Sequence, residues 1–231
     1  MVKSCLQGPV IPGGRLIFMP IMLRSPLVKK LLARSTFSLN LKPGRLYYLK
    51  SKAIVSGLLG APASIYSLEK IRNLGLKEII VLGYCGSLSS SLLSSQALVP
   101  LEAHSDEGTS RHYDSKKSGI YNPSSELTDK LVSFLVRQGL PFSHGAIVST
   151  DAPYRETSSW LKRRQQKGII AVDMEMSAIL AFSTFYGLKA AGLFLVSDEL
   201  FSDQWPEVSQ SQDLKTATLN YFLPLIEDEE Y

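Results

Sequence analysis

Residues 170–200 read IAVDMEMSAILAFSTFYGLKAAGLFLVSDEL, and this stretch decides the fold class. Asp173, Met174 and Glu175 make a short acidic entrance to an apolar run. Ala178, Ile179, Phe182 and Phe185 then recur at helical spacing, which predicts a helix with one buried face. Gly187 follows where a left-handed residue ends a helix. Ala190 to Val196 is a nearly continuous apolar run, as expected of a strand covered on both faces. That strand closes on Ser197, Asp198 and Glu199. In open α/β sheets ligands sit just beyond the carboxyl ends of the strands, so Asp198 is a candidate for chemistry.

The same alternation continues towards the N-terminus. Leu46 to Leu49 and Ala53 to Val55 read as strands joined by the basic turn Lys50-Ser51-Lys52. A glycine-punctuated loop, residues 56–62, precedes a helix predicted over 63–74, which Gly75 ends. Lys77 to Leu82 reads as the next buried strand, and Gly83-Tyr84-Cys85-Gly86-Ser87 as a glycine turn after it. Strand, loop, helix, strand and turn make a βαβ unit. The turn lacks the lysine and hydroxyl residue of a phosphate-binding P-loop. Further on, Ala97 to Pro100 predicts a strand, residues 103–113 a polar loop, and residues 124–138 an amphipathic helix. Phe142 to Ser149 leads into Ser149-Thr150-Asp151-Ala152-Pro153-Tyr154-Arg155-Glu156, and residues 160–167 form a basic helix whose Arg163-Arg164 pair reads as solvated. Residues 10–22 read as strand and turn, 26–34 as a short basic helix, and 214–225 as a final helix.

Composition narrows the function classes. A chain of 231 residues with 45% hydrophobic and 20% charged residues suits one α/β domain with a substantial core, and no boundary divides 1–231. A net charge of +4, scattered along the chain, argues against a nucleic-acid partner. No run reaches the roughly 20 apolar residues of a membrane helix, so no membrane association is expected. Cys5 and Cys85 make neither a disulfide framework nor a zinc site, and a cytoplasmic setting is the expectation. His104, His112, Asp106 and Glu107 lack metal-ligand spacing. The acidic tail, about 226–231, is expected to be solvated.

Met174-Glu175 entering a helix, Ser197-Asp198 ending the next strand, the Gly83–Gly86 turn and the Ser149–Tyr154 segment occur in an order that resembles the nucleoside phosphorylase and nucleosidase family, the purine nucleoside and uridine phosphorylase superfamily. The resemblance covers roughly residues 52–200. It implies a single-domain, three-layer α/β/α fold with a mixed, partly barrel-like central sheet, assembled as a homo-oligomer, a dimer or a trimer of dimers. It implies cleavage of a nucleoside's N-glycosidic bond, with Asp198 as the acid that protonates a purine base. Glu175 and Met174 would hold the ribose, and Tyr84, Cys85, Gly86, Pro153, Tyr154 and Ser197 would line the base. Pro153 stands where the family often has an aromatic, which passes stacking to Tyr154 or Tyr84.

The chemistry suits those residue types. Cleavage builds positive charge on the sugar and negative charge on the departing base. A carboxylate at Glu175 can accept hydrogen bonds from both ribose hydroxyls, and a protonated Asp198 can donate to the imidazole side of a purine. Each residue alone also has a bland reading, Glu175 as a partner of the helix dipole and Asp198 as a helix cap. Asp198 points to purines, whereas residues 107–113, EGTSRHY, resemble the uridine branch. The resemblance implies no cofactor, only inorganic phosphate as co-substrate, yet the family's arginine position ahead of the glycine turn is Val81 here. Arg24 is the nominated phosphate ligand, with Lys29, Arg34 and Arg111 as other cations. A hydrolytic nucleosidase using water and a non-catalytic nucleoside-binding relative remain as alternatives.

Overall fold

The computed structural model describes residues 6–20, 33–114, 118–201 and 211–229. Its frame is one mixed sheet of ten strands among these residues: β1 (Arg15–Met19), β2 (Phe37–Asn40), β3 (Arg45–Tyr48), β4 (Ala53–Ser56), β5 (Glu78–Ser87), β6 (Ala97–Asp106), β7 (Ile120–Tyr121), β8 (Ser143–Thr150), β9 (Ile169–Asp173) and β10 (Lys189–Glu199). The path runs β10-β6-β8-β9-β5-β1-β4-β3-β2, and β10 pairs again with β5. That second pairing closes β5, β10, β6, β8 and β9 into a ring, while β1, β4, β3 and β2 continue as an open sheet. The sheet is therefore partly barrel-like, and mixed, because β1, β4, β5 and β10 run parallel, while β3 pairs antiparallel to β2 and β4, and β6 is parallel to β8 but antiparallel to β10 and β7.

Strand periodicity divides the core in two. Leu16, Phe18, Ile79, Val81, Phe194 and Val196 pack on one face with residues of the helices α1 (Ala61–Ile71) and α4 (Met176–Tyr186). The alternate residues Ile17, Met19, Ile80, Leu82, Leu193 and Leu195 pack on the other face with α2 (Ser125–Arg137) and α5 (Gln212–Glu227). Strands this apolar on both sides need a helical layer on each face, which gives the α/β/α arrangement. Among the described residues a further α-helix, α3 (Ser158–Gln165), seats the buried Trp160 against Leu88, Val148, Ile169 and Val172. Helix starts are capped as their sequences suggest: Ser124, Thr157 and Ser211 each accept a backbone N–H three residues on.

Several expectations are corrected. Gly83–Gly86 is the second half of β5 and not a turn. A Cβ at Gly83 would lie 2.7 Å from the Phe194 ring, and one at Gly86 only 2.2 Å from Leu200 Cδ1. These glycines admit neighbouring side chains across the strand instead of reversing it. The first four residues of the expected polar loop, Ala103 to Asp106, extend β6. Phe185 is exposed, packing edge-on with Tyr113 at a centroid distance of 5.6 Å. Arg164 is not solvated but pairs at 2.6 Å with Asp106, which also accepts the Trp160 indole N–H. The acidic tail is partly docked: Arg15 donates to the Glu229 carbonyl at 2.7 Å, Arg34 pairs with Glu227, and buried Lys52 donates to the Asp228 carbonyl. The expected helix over 26–34 falls almost wholly outside the described residues. Among those residues no helix is long and apolar enough to cross a membrane.

Candidate active site

At the carboxyl end of β5 and β10 lies a cleft of about 180 Å³, lined by Leu59, Tyr84, Cys85, Gly86, Pro153, Glu156, Val172, Asp173, Met174, Glu175, Ser197 and Asp198. A bulge positions its Asp198 carboxylate. In the β10–β5 pairing Val196 faces Cys85 and Asp198 faces Gly86, so Ser197 is one extra residue. Such a bulge breaks the strict alternation of a strand, and here two consecutive side chains, Ser197 and Asp198, reach the same cleft. Ser197 Oγ donates to Asp198 Oδ1 at 2.5 Å and fixes the carboxyl plane. Asp198 Oδ2 lies 3.1 Å from where a Cβ on Gly86 would be, a space only glycine leaves open.

The other wall is built at the β9–α4 junction. Asp173 ends β9, and its Oδ2 accepts the backbone N–H groups of Glu175 and Met176 at 3.0 and 2.7 Å. It thereby satisfies two of the donors that a helix start leaves open. Its Oδ1 accepts from Ser149 Oγ at 2.6 Å, and Ser149 Oγ in turn accepts the Ser177 N–H at 2.9 Å. Glu175 is 5% exposed, and its Oε1 accepts the Gly60 N–H at 2.7 Å. Gly60 has φ +80°, so the loop before α1 aims this N–H by a conformation that favours glycine.

Burial sets the electrostatics. It raises the carboxyls of both Asp173 and Glu175, with the charge of Glu107 adding to the rise at Asp173 and that of Asp173 adding at Glu175. Asp173 receives three hydrogen bonds, which oppose the rise and favour its ionised form. Glu156 is pushed up to about 7, first by burial and then by the charge of Asp198. Burial holds the Cys85 thiol well above its ordinary value, with Asp173 and Asp198 adding to the effect, so Cys85 is a wall and not a nucleophile. Tyr84 is pushed up to about 12 by burial, and its hydroxyl bonds Thr218 Oγ1 at 2.8 Å.

Of the residues nominated from the sequence, Asp198, Glu175, Met174, Tyr84, Cys85, Gly86, Pro153 and Ser197 line this one cleft. Tyr154 does not: it is 95% exposed and takes no part in the lining. Arg24 and Lys29 lie outside the described residues. Arg34 is occupied by Glu227, and Arg111 is exposed on the turn after β6. Val81 is fully buried in the core. Glu107, weighed and set aside as a metal ligand, is buried and accepts from Ser105, Thr109, Ser110 and Ser177. Among the described residues no group of three or more His, Cys, Asp or Glu side chains is arranged to hold a metal ion.

A sequence model of the phosphorylase superfamily matches residues 46–220, the greater part of the chain. The chain belongs to the phosphorylase superfamily. A DeoD-type purine nucleoside phosphorylase from Bacillus cytotoxicus is 26% identical over 159 residues, which are 67% of this chain and 66% of that protein. The chain thus spans just under two thirds of that relative's length. Two solved structures of phosphorylases share the superfamily fold with it. A purine nucleoside phosphorylase from Toxoplasma gondii in complex with immucillin-H superposes with a TM-score of 0.76 at 19% identity, covering 96% of this chain and 94% of that one. Uridine phosphorylase from Vibrio fischeri superposes with a TM-score of 0.73 at 22% identity, covering 95% and 93%.

For this superfamily member the cleft also holds four residues that had no role assigned from the sequence: Leu59, Glu156, Val172 and Asp173. Asp173 was visible as an acid before a helix, a signal for a cap. Glu156 carried no signal, because only the fold brings it into the cleft that Asp198 also lines.

Proposed function

We propose that this protein cleaves the N-glycosidic bond of a purine nucleoside, with inorganic phosphate as nucleophile, giving free base and ribose 1-phosphate. The observation that carries the reading is the convergence of Glu175 and Asp198 on one cleft that Met174, Cys85 and Gly86 also line. Glu175 as carboxylate accepts the ribose hydroxyls while the Gly60 N–H holds its other contact. Asp198 in its acid form gives its proton to the imidazole nitrogen of the base as the glycosidic bond breaks and the bonding electrons leave with the base. The phosphate oxygen then bonds the anomeric carbon from the opposite side. General acid catalysis of this kind accelerates cleavage about a hundred- to ten-thousand-fold. The reading extends to a homo-oligomer, a dimer or a trimer of dimers, in which cations such as Arg24 reach the phosphate.

One observation favours a second reading. Four carboxyls, Glu156, Asp173, Glu175 and Asp198, line the cleft, and a dianion among them without guanidinium partners would be strongly disfavoured. Water as nucleophile makes the protein a nucleosidase instead. Incubation of the full chain with inosine, adenosine and uridine, with and without phosphate, separates the two. Ribose 1-phosphate formed only with phosphate supports phosphorolysis. Free ribose at the same rate without it establishes hydrolysis, and no cleavage under either condition leaves a binding protein.

A further inference from the structure

We propose that the amino-terminal edge of the sheet carries a second anion site, built for a ligand with two linked phosphate groups, and that the acidic tail is its displaceable cover. Arg15 opens β1, Lys52 directly precedes β4, and Lys50 lies in the same β3–β4 turn as Lys52. Arg34 joins them from the segment before β2. β1 and β4 run parallel to β5, so this edge is the one opposite the cleft. At about 3.3 Å per residue, Arg15 lies about 13 Å along β1 from Met19 at the cleft end. An anion held here does not reach a nucleoside in the cleft, so the site is separate from the reaction.

A cavity of about 260 Å³ remains beside the docked tail, with Arg34, Lys50, Lys52, Glu227 and Glu229 in its lining. The tail meets the cations unequally. Its carboxylates reach the outer pair: Glu227 bonds Arg34 at 2.5 Å and Glu229 bonds Lys50 at 3.3 Å, with all four side chains well exposed. Exposed ion pairs of this kind hold a chain end weakly. To the inner pair the tail presents peptide carbonyls. The Asp228 carbonyl accepts from the Lys52 ammonium, and the Glu229 carbonyl from Arg15 at 2.7 Å. Lys52 is only 1% exposed, and a neutral carbonyl leaves a buried ammonium charge poorly compensated. Burial accordingly lowers Lys52 to about 8, a drop that the Asp228 and Glu229 charges oppose and Arg15 reinforces. The site is thus most cationic where the tail supplies least charge. A diphosphate supplies what is missing: oxygens of one phosphate replace the two carbonyls at Lys52 and Arg15, and the other phosphate takes Arg34 and Lys50 from the two carboxylates. Guanidinium and ammonium donors bind phosphate oxygens through charge-assisted hydrogen bonds, roughly twice as strong as neutral ones.

Two readouts on the intact chain test this, neither of them activity. Pyrophosphate and ADP are titrated calorimetrically at constant ionic strength, and hydrogen exchange of the C-terminal peptide bearing Asp228 and Glu229 is followed by mass spectrometry. The expected result is that a probe binds and exchange in this peptide quickens about threefold or more, while sodium chloride at the same ionic strength leaves it unchanged. Arg15→Gln should weaken binding about 10-fold or more, and Lys52→Met likewise; Arg15→Gln carries the test alone if Lys52→Met does not fold. The double variant Glu227→Gln, Glu229→Gln loosens the cover and should tighten binding about 2- to 5-fold. Equal affinities for the two probes support a site for the diphosphate group itself, and ADP tighter by about 10-fold supports a nucleotide as its source. The inference is overturned if neither probe binds, if Arg15→Gln leaves the affinity unchanged, as it would for a probe captured by the cleft, or if the tail exchanges at its original rate with probe bound.

Discussion

Replacing Ser149 by alanine removes a side chain that never touches the cleft, yet it should destabilise the protein measurably. Ser149 is fully buried; its hydroxyl donates to Asp173 Oδ1 at 2.6 Å and accepts the Ser177 N–H at 2.9 Å. A hydrogen bond to a charged group contributes about 1.5–3 kcal/mol, and a buried N–H left without a partner costs about 1–3 kcal/mol. Because Asp173 keeps its two backbone donors, the combined loss is expected near the low end of the summed range, about 3 kcal/mol. For a chain of this size that lowers Tm by about 6–12 °C. Urea titration is the direct assay, with a lowered midpoint at unchanged m expected. In an Asp173→Asn background the same substitution should cost about 2 kcal/mol, since the acceptor is then neutral while the Ser177 N–H still loses its partner. A loss under about 1 kcal/mol in the wild-type background would refute the claim that this hydroxyl holds the anchor of Glu175.

Two further outcomes follow from the geometry. Gly86→Ala sets a Cβ 2.2 Å from Leu200 Cδ1 and 3.1 Å from Asp198 Oδ2. It should cost about 1–3 kcal/mol of stability and depress kcat well before it unfolds the protein; wild-type kcat with unchanged Tm would contradict the close packing. Glu156, raised above its unfolded value by burial and Asp198, holds its proton more tightly in the folded state. Its contribution is therefore fully present below about pH 4.5 and lost as pH rises through about 7, so the Tm difference between wild type and Glu156→Gln should shift against the wild type across that window. A difference independent of pH would contradict the assignment.

Much of the fold was legible because its strongest elements are long and periodic. The helix after Glu175 and the apolar strand to Val196 announce themselves within one stretch of sequence. What stayed hidden was decided by residues far apart. β9 is a short apolar run directly before a helix, and such runs do not separate strand from helix by period. Gly83 and Gly86 read as a turn because glycine serves turns and close packing equally. Only the positions of Phe194 and Leu200, more than a hundred residues on, decide for packing. Phe185 fits the helical spacing of a buried face but is drawn outward to Tyr113 and Tyr186. The tail's acids read as solvated, yet Arg15, Arg34 and Lys52 come from three separate segments to meet them. In the cleft, Glu175 and Asp198 were readable from their places at a helix start and a strand end. Tyr154 was not, because Pro153 and the short turn around it carry its ring into solvent.

The central claim is that Asp198 supplies the proton on which departure of the base depends. Steady-state cleavage of a purine nucleoside by Asp198→Asn tests it most directly, with circular dichroism and Tm recorded on the same sample. The amide retains the hydrogen bond from Ser197 and the shape of the side chain but has no proton to transfer. The account predicts a kcat lower by about a hundred- to ten-thousand-fold in a protein that is otherwise folded as the wild type. A kcat within about threefold of the wild type, with the fold intact, would contradict it.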